Sequence, residues 1–435
     1  MEWWVYLTIV LTTLTIFFLS GLPIAFCFTL FNFIAVYFWM GGFDSFALLT
    51  VSAFSSIASF PLVAVPLFIL MGELLFRSGV VGLILDAVTK WVSGVRGSLA
   101  LVSVAAGTLF GTMSGSAVSG VAVLGSTLAP EMRRRGYSKE MSLGPILGSG
   151  CLAMIIPPSV LAVLLGSLGQ IPVGDLLISG IVPGLLLATL YAIYILVRVH
   201  FNPALAPDVS EQTYSWRERI RAAISISPVL LVTLMIWGVM LFGIATPSEA
   251  AAIGVIGALL VMAIYRRLRW EVIRASLLDT VKITGMIFLI IISASAFSQI
   301  LAFTGTTAKI VSFASESGFR PTTILIGMMM TMIVLGSFLD ELALLMISIP
   351  IYMPVATALA FDPVWFGLMM LLTLEIATIS PPYGLALFVL KGVVPDASMG
   401  DVWKASVAYM CLSVLALTLI LIFPPIATWL PGLMR

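Results

Sequence analysis

Long apolar runs follow one another along almost the whole chain, separated by short polar or turn-forming stretches. A membrane-spanning helix needs about 20 predominantly apolar residues. The runs at 3–20, 24–39, 62–76, 98–113, 117–132, 141–169 and 176–197 predict helices on that scale, with 141–169 interrupted. A second series follows at 228–245, 249–265, 283–303, 322–337, 342–358, 364–390 (again interrupted) and 405–423. Between the two series lies the one clearly polar stretch, 198–227, which contains His200, Asp208, Glu211, Arg217, Glu218, Arg219 and Arg221 and reads as a cytoplasmic linker. Two amphipathic stretches, 80–95 and 306–319, read as helices lying along an interface. The pattern is that of an all-α polytopic membrane protein.

The two series repeat. Pro23 recurs as Pro247, Arg96 as Arg320, Gly111 as Gly336, Pro130 as Pro354, Pro157-Pro158 as Pro381-Pro382, and Gly174-Asp175 as Gly400-Asp401, at offsets of 224 to 226 residues. Residues 1–197 and 228–435 therefore read as two copies, a transporter signature in membrane chains. Charge position orients them. Arg133, Arg134, Arg135 and Lys139 have no basic counterpart near 357–363, and Arg266, Arg267 and Arg269 have none near 41–44. Basic residues mark the cytoplasmic side, so equivalent loops face opposite sides and the second copy is inverted. With the linker inside, both termini are periplasmic, and all but Lys309, Arg320 and Arg435 of the 21 basic residues fall inside or at the inner boundary.

Composition excludes the alternatives to a bilayer. Of 435 residues, 61% are apolar and only 9% charged, with mean hydropathy +1.17. A soluble domain near a quarter charged keeps its surface wet, and this chain cannot. The net charge of +1 gives no footprint for nucleic acid. Cys27, Cys151 and Cys411 are far apart in apolar runs, without metal or disulfide spacing. Residues 1–20 have no basic n-region or small-residue cleavage site and read as a retained span. Trp3, Trp4, Trp39, Trp365 and Trp429 lie near run ends and read as interfacial anchors.

Each copy has two stretches that a plain spanning helix would avoid. The first is Gly111-Thr-Met-Ser-Gly-Ser-Ala-Val-Ser-Gly120 between short apolar arms, which predicts a re-entrant helical hairpin over 98–132 with Ser114-Gly115-Ser116 at its tip. The second is Gly148–Ser159, where Pro157 and Pro158 remove two amide donors, so the helix over 139–170 should break. The second copy predicts a hairpin over 322–358 and a broken helix over 364–390. Unwound backbone in a bilayer must be buried in protein or line a cavity. Asp340 and Glu375 fall at membrane depth, where a charge needs a cavity, a cation or a partner. Asp340 fits an alkali-cation pocket, a helix cap or a proton carrier; Glu375 fits a structural hydrogen-bond partner or a proton carrier. Glu73, four residues before Arg77, reads as half of a helical ion pair.

These residues resemble the large membrane subunit of a tripartite ATP-independent periplasmic (TRAP) transporter. The resemblance rests on Gly111–Gly120 with Arg133–Arg135, Ile156-Pro-Pro-Ser159, Thr246-Pro-Ser-Glu-Ala250, the Asp340 hairpin through Pro350 and Pro354, and Ile379-Ser-Pro-Pro-Tyr-Gly384. It covers essentially the whole chain. It implies a sodium-driven elevator in the bacterial inner membrane that imports an organic acid, a carboxylate or acidic sugar. The implied partners are a small four-helix membrane subunit, expected here as a separate chain, and a periplasmic substrate-binding protein. One implied sodium site comprises Ser114, Gly115, Ser116, Gly150 and Pro157, the other Gly336, Ser337, Asp340, Thr378 and Ser380. Substrate is expected between the two tips, near Ser119, Ser159, Glu375 and Tyr383. Ser380 and Tyr383 stand where the family commonly has threonine and a small apolar residue. No cofactor and no transition metal are expected, and sodium serves only as coupling ion. A stand-alone divalent-anion/sodium symporter shares the double-hairpin logic and differs in needing no binding protein. An intramembrane enzyme would need a nucleophile–base pair or paired aspartates, and the one histidine lies in the linker.

Overall fold

A computed structural model describes residues 3–207 and 214–434; Asp208 and Glu211 of the polar stretch and the terminal Arg435 lie outside them, as does the side chain of Trp3. The described residues form helices without strands. The first half comprises α1 (Trp3–Leu19), α2 (Ile24–Trp39), α3 (Phe46–Ile57), α4 (Ala64–Arg77), α5 (Val80–Val92), α6 (Ser98–Ser114), α7 (Ala117–Arg134), α8 (Lys139–Cys151), α9 (Val160–Leu168), α10 (Val173–Ser179) and α11 (Ile181–Phe201). The second comprises α12 (Trp216–Leu241), α13 (Pro247–Ile264), α14 (Trp270–Phe303), α15 (Thr306–Glu316), α16 (Pro321–Gly336), α17 (Glu341–Ala358), α18 (Pro363–Thr378), α19 (Leu385–Val393), α20 (Met399–Ile422) and α21 (Pro425–Gly432). Among these, seven helical stretches are long and apolar enough to cross a membrane, while α6, α16 and α18 are apolar but shorter.

The two halves are inverted-topology repeats with the same element order. Helices α6, α7, α8 and α9 are followed in kind by α16, α17, α18 and α19, each starting 223 to 225 residues later. One difference has a local cause. Pro61 and the turn before it divide the first-half arm into α3 and α4, whereas α14 runs unbroken for 34 residues. The run expected to start at 283 thus begins at Trp270, because the amphipathic turns of 270–282 continue the same helix. The polar stretch is also shorter than its composition suggests. Helix α12 starts at Trp216, fixed by a capping box in which Ser215 and Glu218 satisfy each other's backbone N–H groups.

The helices sort into two packed groups. One contains α2, α3, α4, α12, α13 and α14, the other α6 to α9 with α16 to α20. Small residues set the closest approaches. A Cβ on Gly254 of α13 would lie 2.6 Å from the Met71 Sδ of α4, and one on Gly257 would lie 2.7 Å from Val232 of α12. Such close approach is how helices gain contact where lipid is as apolar as leucine. Of the expected anchors, Trp4 and Trp429 are exposed, but Trp365 is not an anchor. It is buried and donates its indole N–H to the Ile420 carbonyl at 3.1 Å, because α20 covers the start of α18.

Candidate functional site

Both hairpins form and both helices break where the sequence places them. Helix α6 ends at Gly115, whose φ of +58° is the left-handed turn a glycine adopts at little cost. Helix α7 then starts with Ser116 as N-cap, its Oγ accepting from the Ser119 N–H at 3.4 Å. In the second hairpin Asp340 holds the equivalent position: its Oδ1 accepts from the Ala343 N–H at 2.8 Å and caps α17. The capping role open for Asp340 in the sequence is therefore real.

Each hairpin lies on its broken helix, backbone against backbone. A Cβ on Gly111 would fall 3.1 Å from the Ala153 backbone, one on Gly115 2.8 Å from the Pro158 carbonyl oxygen, and one on Gly120 2.7 Å from the Gly150 oxygen. Ser114, Gly115 and Ser116 thus meet the first break at Pro158, while Gly150 sits beside Gly120 and Val121, deeper in the hairpin. The Pro157 carbonyl accepts the Trp237 indole N–H at 2.9 Å, which brings α12 of the other group to the break. In the second repeat a Cβ on Gly336 would lie 2.5 Å from that of Ala377, and the Phe338 ring packs on Tyr383 with centroids 5.6 Å apart. This tip, too, rests on its break.

The two breaks differ in how their carbonyls are served. Met154 would bond the amide of residue 158, which is proline; Ser159 Oγ supplies the missing donor at 2.6 Å and also accepts from the Ala162 N–H at 3.2 Å. Thr378 would bond residue 382, again proline, but Tyr383 stands at the position equivalent to Ser159. The Thr378 and Ser380 carbonyls converge on Gly384, where an added Cβ would fall 2.4 and 2.8 Å from them. The Thr378 and Ser380 hydroxyls donate to Leu374 and Ile376, each leaving acceptor lone pairs.

Between the two tips lies a cavity of about 210 Å³, smaller than the ~300–1,000 Å³ of drug-sized sites and suited to a small metabolite. Hairpin 1 lines it with Ser114, Gly115, Ser116 and Ser119, and hairpin 2 with Glu341 and Leu342. Helices α4 and α14 close the opposite wall with Glu73, Ile283 and Ile287, so the cavity lies on the boundary between the two packed groups. Glu73 also accepts from the Arg77 Nε at 3.0 Å, and Arg77 bridges onward to Asp279 of α14.

Of the four residues expected near substrate, only Ser119 lines this cavity. Ser159 is buried at the first break. Glu375 is fully buried, its Oε1 accepting from Tyr191 at 3.0 Å and Ser413 at 3.3 Å, as a structural hydrogen-bond partner would be. Tyr383 points outward, 55% exposed, with its ring against Phe338 and Phe388. Glu341 was missed by sequence reasoning, although the adjacent pair Asp340-Glu341 in an apolar run was a legible signal.

Residues 11–426 match the family model described as "Tripartite ATP-independent periplasmic transporter, DctM component". The chain is 32% identical over 392 residues to the C4-dicarboxylate TRAP transporter large permease protein of Pseudomonas aeruginosa, covering 89% of this chain and 90% of that protein. It is 30% identical over 429 residues to the ectoine TRAP transporter large permease protein of Halomonas elongata, covering 98% and 99%. The fold is similar to that of the Alcanivorax borkumensis YdaH transporter, with a TM-score of 0.63 at 15% identity over 89% of this chain and 91% of that one.

Proposed function

The chain belongs to the tripartite ATP-independent periplasmic transporter DctM components, the large permease subunits, and from that membership we propose that it imports an organic acid under a sodium gradient. The observation that carries this reading is the cavity at the boundary of the two helix groups, reached by the tips of both hairpins. The relatives' names give two different solutes, so family membership sets the class of solute and leaves its identity to the site and to a binding protein.

Sodium is a hard cation that takes oxygen ligands, and each tip supplies them. The first site uses the Ser114 and Ser116 hydroxyls, whose hydrogen bonds at the tip are long, at 3.4 Å, with Gly115 and the break at 157–158; Gly150 supports its backbone. The second uses the Asp340 carboxylate, with Gly336 and Ser337, and the carbonyls at Thr378 and Ser380. The solute sits between them beside Ser119 and Glu341. Binding both ions and solute at the tips favours movement of the hairpin group past α4 and α14 as an elevator, which carries the cavity from one side of the membrane to the other. The charge asymmetry of the loops supports an inner-membrane placement with both termini periplasmic. A small four-helix membrane subunit would stand against the α12–α14 group, and a periplasmic binding protein would deliver solute. The chain acts as a transporter subunit, not an enzyme, and uses sodium as coupling ion without another cofactor.

The test is solute uptake in proteoliposomes containing this chain, its small subunit and the binding protein. Uptake should stop when potassium replaces external sodium. Equal uptake in the two salts overturns the proposal.

A further inference from the structure

Resting on the reading of the inter-tip cavity as the solute site, we propose that Glu341 receives a cationic group of the solute, so that the transported acid carries an ammonium- or amidinium-like group beside its carboxylate. The chain selects a zwitterion over a dianion of similar size.

The charges around the cavity support this. Among the described residues lining it, two are carboxylates, Glu73 and Glu341, and none is basic. Glu73 is paired with Arg77, which stands behind it and also holds Asp279; Lys282 is on Asp279 as well. Glu341 has no such partner. Its Oε2 is buried without a hydrogen bond, at the first turn of α17 and at membrane depth. Glu375 Oε2 is also without a hydrogen bond, but Glu341 alone of the two lines the cavity, where an ionisable group at membrane depth can take a cation from the solute. The neighbouring Asp340 gives one oxygen to the Ala343 amide and, on the reading above, its charge to a sodium ion, so it supplies no positive partner to Glu341. With a sodium ion already matched to Asp340, a dianion would set its second carboxylate against Glu341, where no side-chain guanidinium or ammonium lines the wall. Ser119 of the opposite tip, beside the proposed first sodium site, offers a hydroxyl donor for one carboxylate. The two ends of the cavity thus differ in the group each can hold.

The test measures the cavity's potential without knowing the solute. In the complex with its small subunit and with the exposed Cys411 replaced by serine, S119C places a thiol in the cavity wall; Cys27 and Cys151 are buried. I283C places one on the α14 wall and serves should S119C fail to fold. Each is reacted with a cationic and an anionic methanethiosulfonate, with rates normalised to a free thiol. A cleft of one sign concentrates the opposite charge about tenfold or more, so the cationic reagent should react faster by that factor. E341Q should remove most of the preference, in sodium and in potassium alike. An anionic or absent preference, or one that E341Q leaves intact, overturns the proposal. In that case the cavity reading still stands if modification blocks uptake. A preference seen in potassium and abolished by sodium even in D340N, which lacks the proposed neighbouring ion ligand, also overturns it, since Glu341 would then hold a sodium ion. If neither cysteine reacts, the cavity is closed to solutes; the solute-site reading fails, and this inference with it.

Discussion

Asp340 has a capping role and a proposed ion-binding role that one substitution would confuse. Its Oδ1 caps α17, and its charge is proposed to hold a sodium ion. Asparagine caps a helix about as well as aspartate, whereas alanine loses the cap at a cost of about 0.5–2 kcal/mol. D340N should therefore keep the melting temperature of the wild type in potassium but lose most of the added stability that sodium gives. D340A should lose both. Equal destabilisation of the two variants in potassium would mean that the charge itself holds the hairpin. Legibility at this scale was uneven. Ser114, Gly115, Ser116 and Asp340 were visible because small or charged residues interrupt apolar runs. Glu375 was equally visible, yet its partners Tyr191 and Ser413 come from α11 and α20, far away in the chain, and turn it into an internal hydrogen-bonded group. Glu341 was hidden by its neighbour: sequence marks a pair of acids but not which of them caps and which faces the cavity.

The hairpins depend on backbone contact with the broken helices, and glycines permit it. At Gly120 an added side chain would meet the Gly150 carbonyl at 2.7 Å, with backbone on both sides and nothing flexible to yield. G120V should destabilise the protein by about 1–3 kcal/mol, as overpacking does, with a lower melting temperature in detergent both with and without sodium. A wild-type melting curve would show that the hairpin and broken helix do not rely on this contact. Element positions were largely legible, since prolines and glycines act locally. The breaks at Pro157-Pro158 and Pro381-Pro382 and the turn at Gly115 follow from missing amides and a permitted φ. The early start of α12 was not read, because its first turns are polar and owe their helix to the Ser215–Glu218 capping box rather than to an apolar run. The length of α14 was missed for a similar reason, its first turns being amphipathic.

At the scale of the molecule, the two helix groups meet where α4 faces α6, and there Phe76 packs on Phe110 with ring centroids 6.3 Å apart. An elevator must break this contact in each cycle. Joining F76C to F110C with a short bifunctional crosslinker should abolish uptake, and cleaving the linker should restore it. Undiminished uptake in the crosslinked protein would mean that the groups do not slide past each other. The repeat and its inversion could be proposed from sequence because prolines recur at one offset while basic residues do not. The cavity could not, since it is built by residues 69–76, 114–119, 160–161, 283–287 and 341–342, brought together only by packing of the two groups.

The central claim is that both hairpin tips bind sodium, and equilibrium binding of radiolabelled sodium to the purified complex tests it most directly. The account predicts saturable binding that potassium does not displace, weakened in S116A and in D340N and weakest in the double variant, with all three folded. Sodium binding that is not saturable, or that is unchanged in both variants, would contradict it.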